Sequence, residues 1–151
     1  MSERYFAYGS NLCIEQMVER TGPIRQGADR PKIVRLPNYH LIFNVQGDDG
    51  QVYANLKSPG HGVLGVIYCC SAKMLLKMDQ FEKGYERRHV RVVLENGAEL
   101  NAVTYVANVA PSETVIPPSP NYLQRILRGA RQHGLPDSYI KEIETMASRR
   151  E

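Results

Sequence analysis

Over its first two thirds, the chain alternates short apolar runs with polar turns, a pattern typical of β-strands. Glycine, proline, asparagine and aspartate separate the runs, and the pair Asn96-Gly97 is the strongest hairpin signal. The predicted strands cover residues 4–8, 33–36, 39–45, 52–56, 62–70, 89–94 and 100–109.

Four further segments carry apolar residues at helical spacing behind a capping residue or a turn. Because the strands are joined mostly by short turns and the helices occur at few places, the pattern predicts one α+β domain over residues 1–151. An antiparallel sheet or barrel with helices packed on it is the expected architecture. The predicted helices run from Ser10 or Asn11 to about residue 20, over 72–82 after Ser71, from Ser119-Pro120 to about residue 133, and over 137–146.

The composition fits one folded domain and argues against several functional classes. The 151 residues are 42% hydrophobic and 23% charged, which is enough apolar material for a single core. A net charge of +3 without a block of Lys and Arg does not favour nucleic acid or an anionic membrane as partner. The chain shows neither a secretory apolar region nor a run near the roughly 20 residues of a membrane helix. We therefore expect a cytoplasmic protein.

The cysteines and histidines do not indicate a metal or thiol centre. Cys13, Cys69 and Cys70 are odd in number and lack metal-ligand spacing, so reduced thiols are expected. A nucleophilic role for one of them is the weaker interpretation, and no cofactor is implied. The histidines contain no i, i+4 pair and are expected to be structural or exposed: His40, His61, His89 and His133.

The first candidate for chemistry is the predicted strand-to-helix turn around Gly9. Glycine permits a tight turn and close approach of the backbone, and Ser10 and Asn11 would leave N–H groups free at a helix start. Such a turn can hold an anion, for instance a substrate carboxylate. The alternative is ordinary helix N-capping by Ser10 or Asn11.

The second candidate is Glu82, at the end of the predicted helix 72–82. At about 100° per residue, Glu82 falls inside the apolar arc of that helix. An inward carboxylate must be paired, neutralised or facing a cavity, and burial would raise its pKa toward neutrality. The alternative is a frayed helix end with Glu82 in solvent or paired with Arg87 or Arg88. The apolar arc consists of Met74, Leu75, Met78 and Phe81.

The third candidate is Tyr122, which a proline-rich loop over residues 111–120 delivers into the first turn of a helix. Its spacing places it at the margin of a core stripe, so packing at the edge of the core is one interpretation. A contact to a ligand is the other. The stripe consists of Leu123, Ile126, Leu127 and Ala130.

Taken together, these segments resemble the gamma-glutamylcyclotransferase family, in order and over nearly the whole chain. Each motif alone is weak, but the ordered set is specific. The matching segments are residues 5–12 (YFAYGSNL), 62–68 (GVLGVIY), 78–82 (MDQFE), 117–122 (PPSPNY) and 134–136 (GLP).

The resemblance implies a small mixed barrel with flanking helices, and an enzyme that needs neither metal nor cofactor. Such an enzyme cyclises a gamma-glutamyl group to 5-oxoproline and releases an amino acid or amine, as in glutathione metabolism. It also makes a homodimer plausible. By motif match Glu82 is the acid/base, and the implied substrate-binding residues are Tyr5, Phe6, Ala7, Tyr8, Gly9, Ser10 and Tyr122.

One departure concerns the residue after Glu82, where the family pattern has glycine and this chain has Lys83, with Gly84 displaced by one position. Tyr85 also comes sooner than in the animal enzyme. A shorter loop over the site leaves open which gamma-glutamyl substrate is used. It also motivates the alternative of a non-catalytic member of the fold that binds a small carboxylate or a protein.

A nucleic-acid accessory role is a third hypothesis, because arginines are frequent on two segments. Solvated charge is the usual explanation for such a pattern. The arginines are Arg87, Arg88 and Arg91, in and just before the predicted strand 89–94, and Arg125, Arg128 and Arg131 on one face of a predicted helix.

Overall fold

The computed structural model describes residues 2–109 and 116–148. Within this part, seven strands and four α-helices follow the order predicted from the hydrophobic pattern. The strands are β1 (Ser2–Ala7), β2 (Lys32–Leu36), β3 (His40–Gln46), β4 (Val52–Lys57), β5 (Val63–Ser71), β6 (Glu86–Leu94) and β7 (Glu99–Val106). The helices are α1 (Ile14–Thr21), α2 (Ala72–Asp79), α3 (Pro120–Gln132) and α4 (Asp137–Ala147), with short 3-10 turns at Ser10–Leu12 and Gly27–Asp29.

Five strands close into a barrel in the order β1-β5-β2-β6-β7. The ring is mixed: β1 meets β7 in parallel at Tyr5 and Val103, whereas the other neighbours run antiparallel. Strands β3 and β4 form a separate two-stranded sheet with a register shift between Phe43 and Val45. The predicted α+β class, a small mixed barrel with flanking helices, is confirmed.

The core lies inside the barrel and under the helices. Strand β1 is exposed over its first three residues and buried over Tyr5–Ala7. It packs against β5, β7 and the 3-10 turn Ser10–Leu12. Of the predicted α3 stripe, Ile126, Leu127 and Ala130 are buried and Leu123 partly so. Burial of this kind supplies most of the stabilisation of a small domain.

The starts of α2 and α3 and the β6–β7 turn follow the sequence signals closely. The Ser71 hydroxyl accepts a hydrogen bond from the Met74 N–H at 3.2 Å, and Ser119 accepts one from the Tyr122 N–H at 3.3 Å. Gly97 adopts φ 89°, as the predicted Asn-Gly hairpin requires. The residues that begin α2 and α3 are therefore those predicted.

Several predicted boundaries are wrong, among them the start of β6, which is Glu86 rather than residue 89. The helix predicted over 72–82 ends at Asp79, and the strand predicted over 100–109 ends at Val106. The helix predicted from Ser10 or Asn11 is split into a 3-10 turn and α1, because Cys13 takes an extended conformation between them. Of the loop 111–120, residues 111–115 lie outside the described part.

Among the described residues, no helix combines the length and the apolar character needed to cross a membrane.

Candidate active site

A cavity of about 630 Å³ opens beside the barrel, between the β3–β4 turn and the segment that joins α2 to β6. Three separate stretches of the chain meet there: the Gly9 turn, the Glu82 segment and the start of α3. The cavity is lined by Tyr5, Tyr8, Gly9, Ser10, Asn11, Arg20, residues 45–49, Tyr53, Ala54, residues 80–85, Tyr105 and Tyr122.

Glu82 lies in this cavity, although not on a helix. Past the end of α2 the N–H groups of Gln80, Phe81 and Glu82 bond three residues back, and this tighter turn replaces the predicted helical wheel. Phe81, predicted to be buried, is consequently 51% exposed, whereas the Glu82 side chain is only 15% exposed. The inward direction of Glu82 agrees with the prediction, but the turn rather than the helix produces it.

The Glu82 carboxylate is held through one oxygen. Oε1 accepts a hydrogen bond from Asn11 Nδ2 at 3.2 Å and lies 3.9 Å from the Arg20 guanidinium. Within the described chain, Oε2 has no hydrogen-bond partner. Burial raises the pKa of Glu82 to about 7, and the attraction of Arg20 and the Asn11 bond oppose that rise. One oxygen is thus available for proton exchange near neutral pH.

The alternative pairing of Glu82 with Arg87 or Arg88 is wrong. Arg87 makes two hydrogen bonds to Asp79, at 2.6 and 2.7 Å, which hold the pKa of that carboxyl below its usual value. Arg88 lies 3.7 Å from Glu86. Both arginines extend from β6, outside the cavity lining, so neither neutralises Glu82.

The turn at Gly9 is not an ordinary helix cap. Neither the 3-10 turn nor α1 receives a side-chain capping bond at its start, and the Ser10 hydroxyl instead accepts from Gln16 Nε2 at 2.7 Å. The N-capping alternative is therefore wrong. The first N–H groups of the 3-10 turn have no acceptor inside that turn. The residues that carry them line the cavity.

The Asn11 side chain is a site residue that sequence reasoning missed, since Asn11 was considered only for its backbone N–H and as a helix cap. Although Asn11 is 97% buried, its Nδ2 donates to the Tyr5 hydroxyl at 2.9 Å as well as to Glu82. Its Oδ1 accepts from Gln16 Nε2 at 2.9 Å and from Arg20 at 3.1 Å. Asn11 therefore connects Glu82 with α1.

Tyrosines form much of the cavity wall. Their hydroxyls are anchored: Tyr8 donates to the Tyr105 carbonyl and Tyr85 to the Ala54 carbonyl, each at 2.6 Å. Burial raises the pKa of these phenols, so they remain protonated and serve as donors rather than bases. Nine tyrosines without a tryptophan were a signal of such a wall, but their spacing could not assign them. The sequence candidates did not include Tyr53, Tyr85 and Tyr105.

Tyr122 packs at the edge of the core and also lines the cavity. Its hydroxyl accepts the Ala54 N–H at 3.1 Å, and its ring packs edge-on against Tyr53 with centroids 5.0 Å apart. A methyl group built on Gly9 would lie 3.6 Å from that hydroxyl, so α3 and the Gly9 turn face each other here.

Two of the predicted substrate-binding residues do not line the cavity. Phe6 and Ala7 have no exposed surface, and the Phe6 carbonyl accepts the Thr104 hydroxyl at 2.8 Å. They belong to the packed half of β1 that carries Tyr8 and Gly9 to the cavity.

The displaced glycine shapes the loop after Glu82. Gly84 has φ 85°, a left-handed conformation that glycine adopts without strain, and the chain turns there so that Tyr85 reaches Ala54. Lys83 and Gly84 both line the cavity. The departure from the family pattern therefore lies at the site itself.

The cysteines and the arginines of the predicted basic surface do not line the cavity. Cys13 and Cys70 are buried free thiols, and burial raises the pKa of Cys70 to about 12. Several arginines of the predicted basic surface face acidic partners, including Arg91 with Glu99 and Arg128 with Glu15. This pairing gives no support to a nucleic-acid surface.

Comparisons with known proteins agree with this architecture. Residues 62–143 match the AIG2-like family. The gamma-glutamylcyclotransferases of Bos taurus and Homo sapiens are each 32% identical to this chain, over 94% of it and 77% of their own length. A solved gamma-glutamyl cyclotransferase superposes with a TM-score of 0.84 at 28% identity, over 99% of this chain and 90% of its own.

These matches place the chain in a class of proteins that share a small mixed barrel with flanking helices. The chain belongs to the AIG2-like family, within the group that contains the gamma-glutamylcyclotransferases. The resemblance stated from the sequence is confirmed.

Proposed function

We propose that this protein is a gamma-glutamylcyclotransferase-type enzyme, which converts a gamma-glutamyl amino acid or amine into 5-oxoproline and the free amino acid or amine. The relatives named gamma-glutamylcyclotransferase support the reaction class. The observation that carries the proposal for this chain is Glu82, a buried carboxylate with one oxygen unengaged in the cavity.

The reaction needs one group that moves a proton twice. The substrate α-amine must lose a proton before its nitrogen attacks the γ-carbonyl carbon and closes a five-membered ring. Glu82, ionised, accepts that proton on Oε2. As the attacking nitrogen becomes the lactam N–H, it releases its second excess proton to water. When the bond between the γ-carbon and the leaving nitrogen breaks, protonated Glu82 gives its proton to the departing amine, which takes up a further proton from water on release. A pKa of about 7 suits both steps.

The rest of the cavity holds the substrate folded for ring closure. Because the nucleophile is tethered to the carbonyl it attacks, correct positioning supplies much of the acceleration. The N–H groups around Gly9 and Ser10 would bind the substrate carboxylate or the developing oxyanion. Tyr5, Tyr8 and Tyr122 would contact the glutamyl portion, with Phe6 and Ala7 fixing the strand behind them.

The chemistry transfers an acyl group within one molecule and changes no oxidation state, so no cofactor is part of the proposal. Three free cysteines fit a reducing compartment, and we place the reaction in the cytoplasm. Glutathione and other gamma-glutamyl compounds are the proposed substrate class, and a homodimer is the proposed assembly.

The test is a product measurement over a substrate panel. The protein is incubated with gamma-glutamyl amino acids, gamma-glutamyl amines and glutathione, and 5-oxoproline is quantified by mass spectrometry. Product from at least one compound supports the proposal, and the preferred leaving group identifies the substrate. If folded protein forms no 5-oxoproline from any of them while a ligand raises its melting temperature, the binding alternative replaces the enzyme.

The activity should depend on pH through Glu82. Because the base must be ionised, kcat/KM is expected to fall about tenfold per pH unit below a midpoint near 7. The measurement is kcat/KM from pH 5 to 9 with the preferred substrate, with circular dichroism at each pH to show that the fold persists. A profile that stays flat down to pH 5 would exclude Glu82 as the base.

A further inference from the structure

A chain of hydrogen bonds runs from the outside of α3 to the Glu82 carboxylate. Arg125 donates to Gln16 Oε1 at 2.9 Å, and Gln16 Nε2 donates to Asn11 Oδ1 at 2.9 Å and to the Ser10 hydroxyl at 2.7 Å. Asn11 Nδ2 then donates to Glu82 Oε1 at 3.2 Å. Arg125 is exposed and does not line the cavity, so the chain reaches the site from outside it.

Arg125, the cation at one end of this series of hydrogen bonds, determines which partner donates in every bond. An arginine side chain has donors only, so the oxygen of Gln16 must face Arg125 and its nitrogen must face Asn11. Asn11 consequently turns its oxygen toward Gln16 and its nitrogen toward Glu82. Both amides are more than 90% buried, so an amide turned the wrong way would leave unpaired polar groups.

We propose that Arg125 and Gln16 are positioning residues, which orient the Asn11 amide so that it donates to Glu82 and leaves the second carboxylate oxygen free for the substrate. The proposal rests on the function proposed above. Arg20 reinforces the same orientation from α1, through its own bond to Asn11 Oδ1 at 3.1 Å.

The orientation of Asn11 therefore influences the pH at which Glu82 changes its protonation state. A donor on Oε1 favours the ionised carboxylate, whereas a reversed Asn11 would face it with a carbonyl oxygen and favour the protonated form. Charged groups that act on Glu82 are Arg20, which lowers its pKa, and Asp79, which raises it. The charge of Glu82 in turn raises the pKa of five nearby phenols, which are Tyr5, Tyr8, Tyr85, Tyr105 and Tyr122.

The decisive variant is Gln16→Glu. A glutamate there keeps a partner for Arg125 but cannot donate to Asn11. Its carboxylate accepts instead, which favours the reversed Asn11 amide against the remaining bond from Arg20. In Gln16→Glu, the midpoint of the fall of kcat/KM on the acid side should rise by about one pH unit. In Arg125→Met, it should rise by about half a unit. Arg125→Lys, which retains a donor, should lie closer to the wild type than Arg125→Met.

The matched control is Arg128→Met. Arg128 lies one turn further along α3 and bonds to Glu15 rather than to Gln16, so its loss removes the same charge without touching the chain of amides. Its pH profile should equal that of the wild type. Equal profiles for Arg125→Met and Arg128→Met, together with an unshifted Gln16→Glu, would overturn the proposal.

A double-mutant comparison separates orientation from simple charge. In an Asn11→Ala background, Gln16→Glu should cause no additional shift, because the amide that transmits the effect is gone. The same shift in both backgrounds would mean that the new carboxylate acts through its field, and the inference would fail.

A spectroscopic titration keeps this result separate from the proposed reaction. The Glu82 carboxyl carbon is followed by NMR in glutamate-labelled protein and assigned by its absence from Glu82→Gln. An upward shift of its titration in Gln16→Glu supports the inference even if no panel substrate turns over, an outcome that would overturn only the cyclotransferase. An unchanged titration overturns the inference even if the enzyme is active.

Discussion

Replacing Glu82 with glutamine is expected to lower kcat/KM by about a thousandfold, within the range of about 10²–10⁴ that general acid–base catalysis contributes. Glutamine has nearly the same shape and can still accept the Asn11 hydrogen bond through its amide oxygen. It cannot take the proton of the substrate amine. The measurement is 5-oxoproline formation by the variant and the wild type at pH 8.

The same variant should be more stable than the wild type at alkaline pH. The pKa of Glu82 is raised to about 7 in the folded protein, so the folded state holds the proton more tightly than the unfolded chain does. The resulting stability is present at low pH and is lost as pH rises through 7. Above pH 8, Glu82→Gln should gain about 2–3 kcal/mol over the wild type, and near pH 4 little.

Glu86→Gln is the matched control, because Glu86 is an exposed glutamate four positions further on, with a side chain 72% exposed. It should change neither turnover nor the pH dependence of the melting temperature. If Glu82→Gln kept wild-type turnover, Glu82 would lose its proposed role. If Glu82→Gln had a lower melting temperature than the wild type at pH 8.5, the ionised Glu82 carboxylate would not destabilise the folded protein.

Gly129→Ala is expected to destabilise the protein by about 3 kcal/mol, although alanine is normally the better helix former. Gly129 lies in α3 where that helix touches the 3-10 turn. An added Cβ would overlap the Leu12 carbonyl carbon and the Cys13 nitrogen, and would lie 2.6 Å from Leu12 Cβ. A lower melting temperature by about 6–12 °C is the expected measurement.

Gln124→Ala on the exposed side of α3 controls for helix propensity and should leave stability equal or slightly higher. The Gly129→Ala variant should also lose activity while it is still folded, because Asn11 and Ser10 precede the displaced residues. An unchanged melting temperature would show that the packing of α3 on the turn tolerates a methyl group.

Local signals in the sequence accounted for most of the framework. Short apolar runs separated by turn residues predicted the seven strands, and Asn96-Gly97 predicted the β6–β7 hairpin, because these patterns act between near neighbours. Ser71 and Ser119 predicted the starts of α2 and α3 for the same reason. The closed, mixed nature of the barrel came from the family resemblance and not from these patterns.

The ends of elements were less well predicted because they depend on tertiary contacts. Asp79 ends α2 where its carboxylate bonds Arg87 on β6 and the Tyr105 hydroxyl on β7. Nothing in residues 72–82 alone indicates those partners. The periodic pattern therefore continued past the real end of the helix and placed Phe81 in the core.

In the candidate site, too, the sequence predicted some residues, and tertiary contacts decided the rest. Sequence motifs singled out Gly9, Glu82 and Tyr122, which the fold brings to one cavity. The hydrogen-bond environment of Glu82 was decided by tertiary structure, since Asn11 lies 71 positions away and Arg125 reaches Gln16 across 109 positions. Amino-acid order along the chain sets propensities and periodicity, whereas the buried hydrogen bonds that tune a carboxylate exist only after distant segments have packed together.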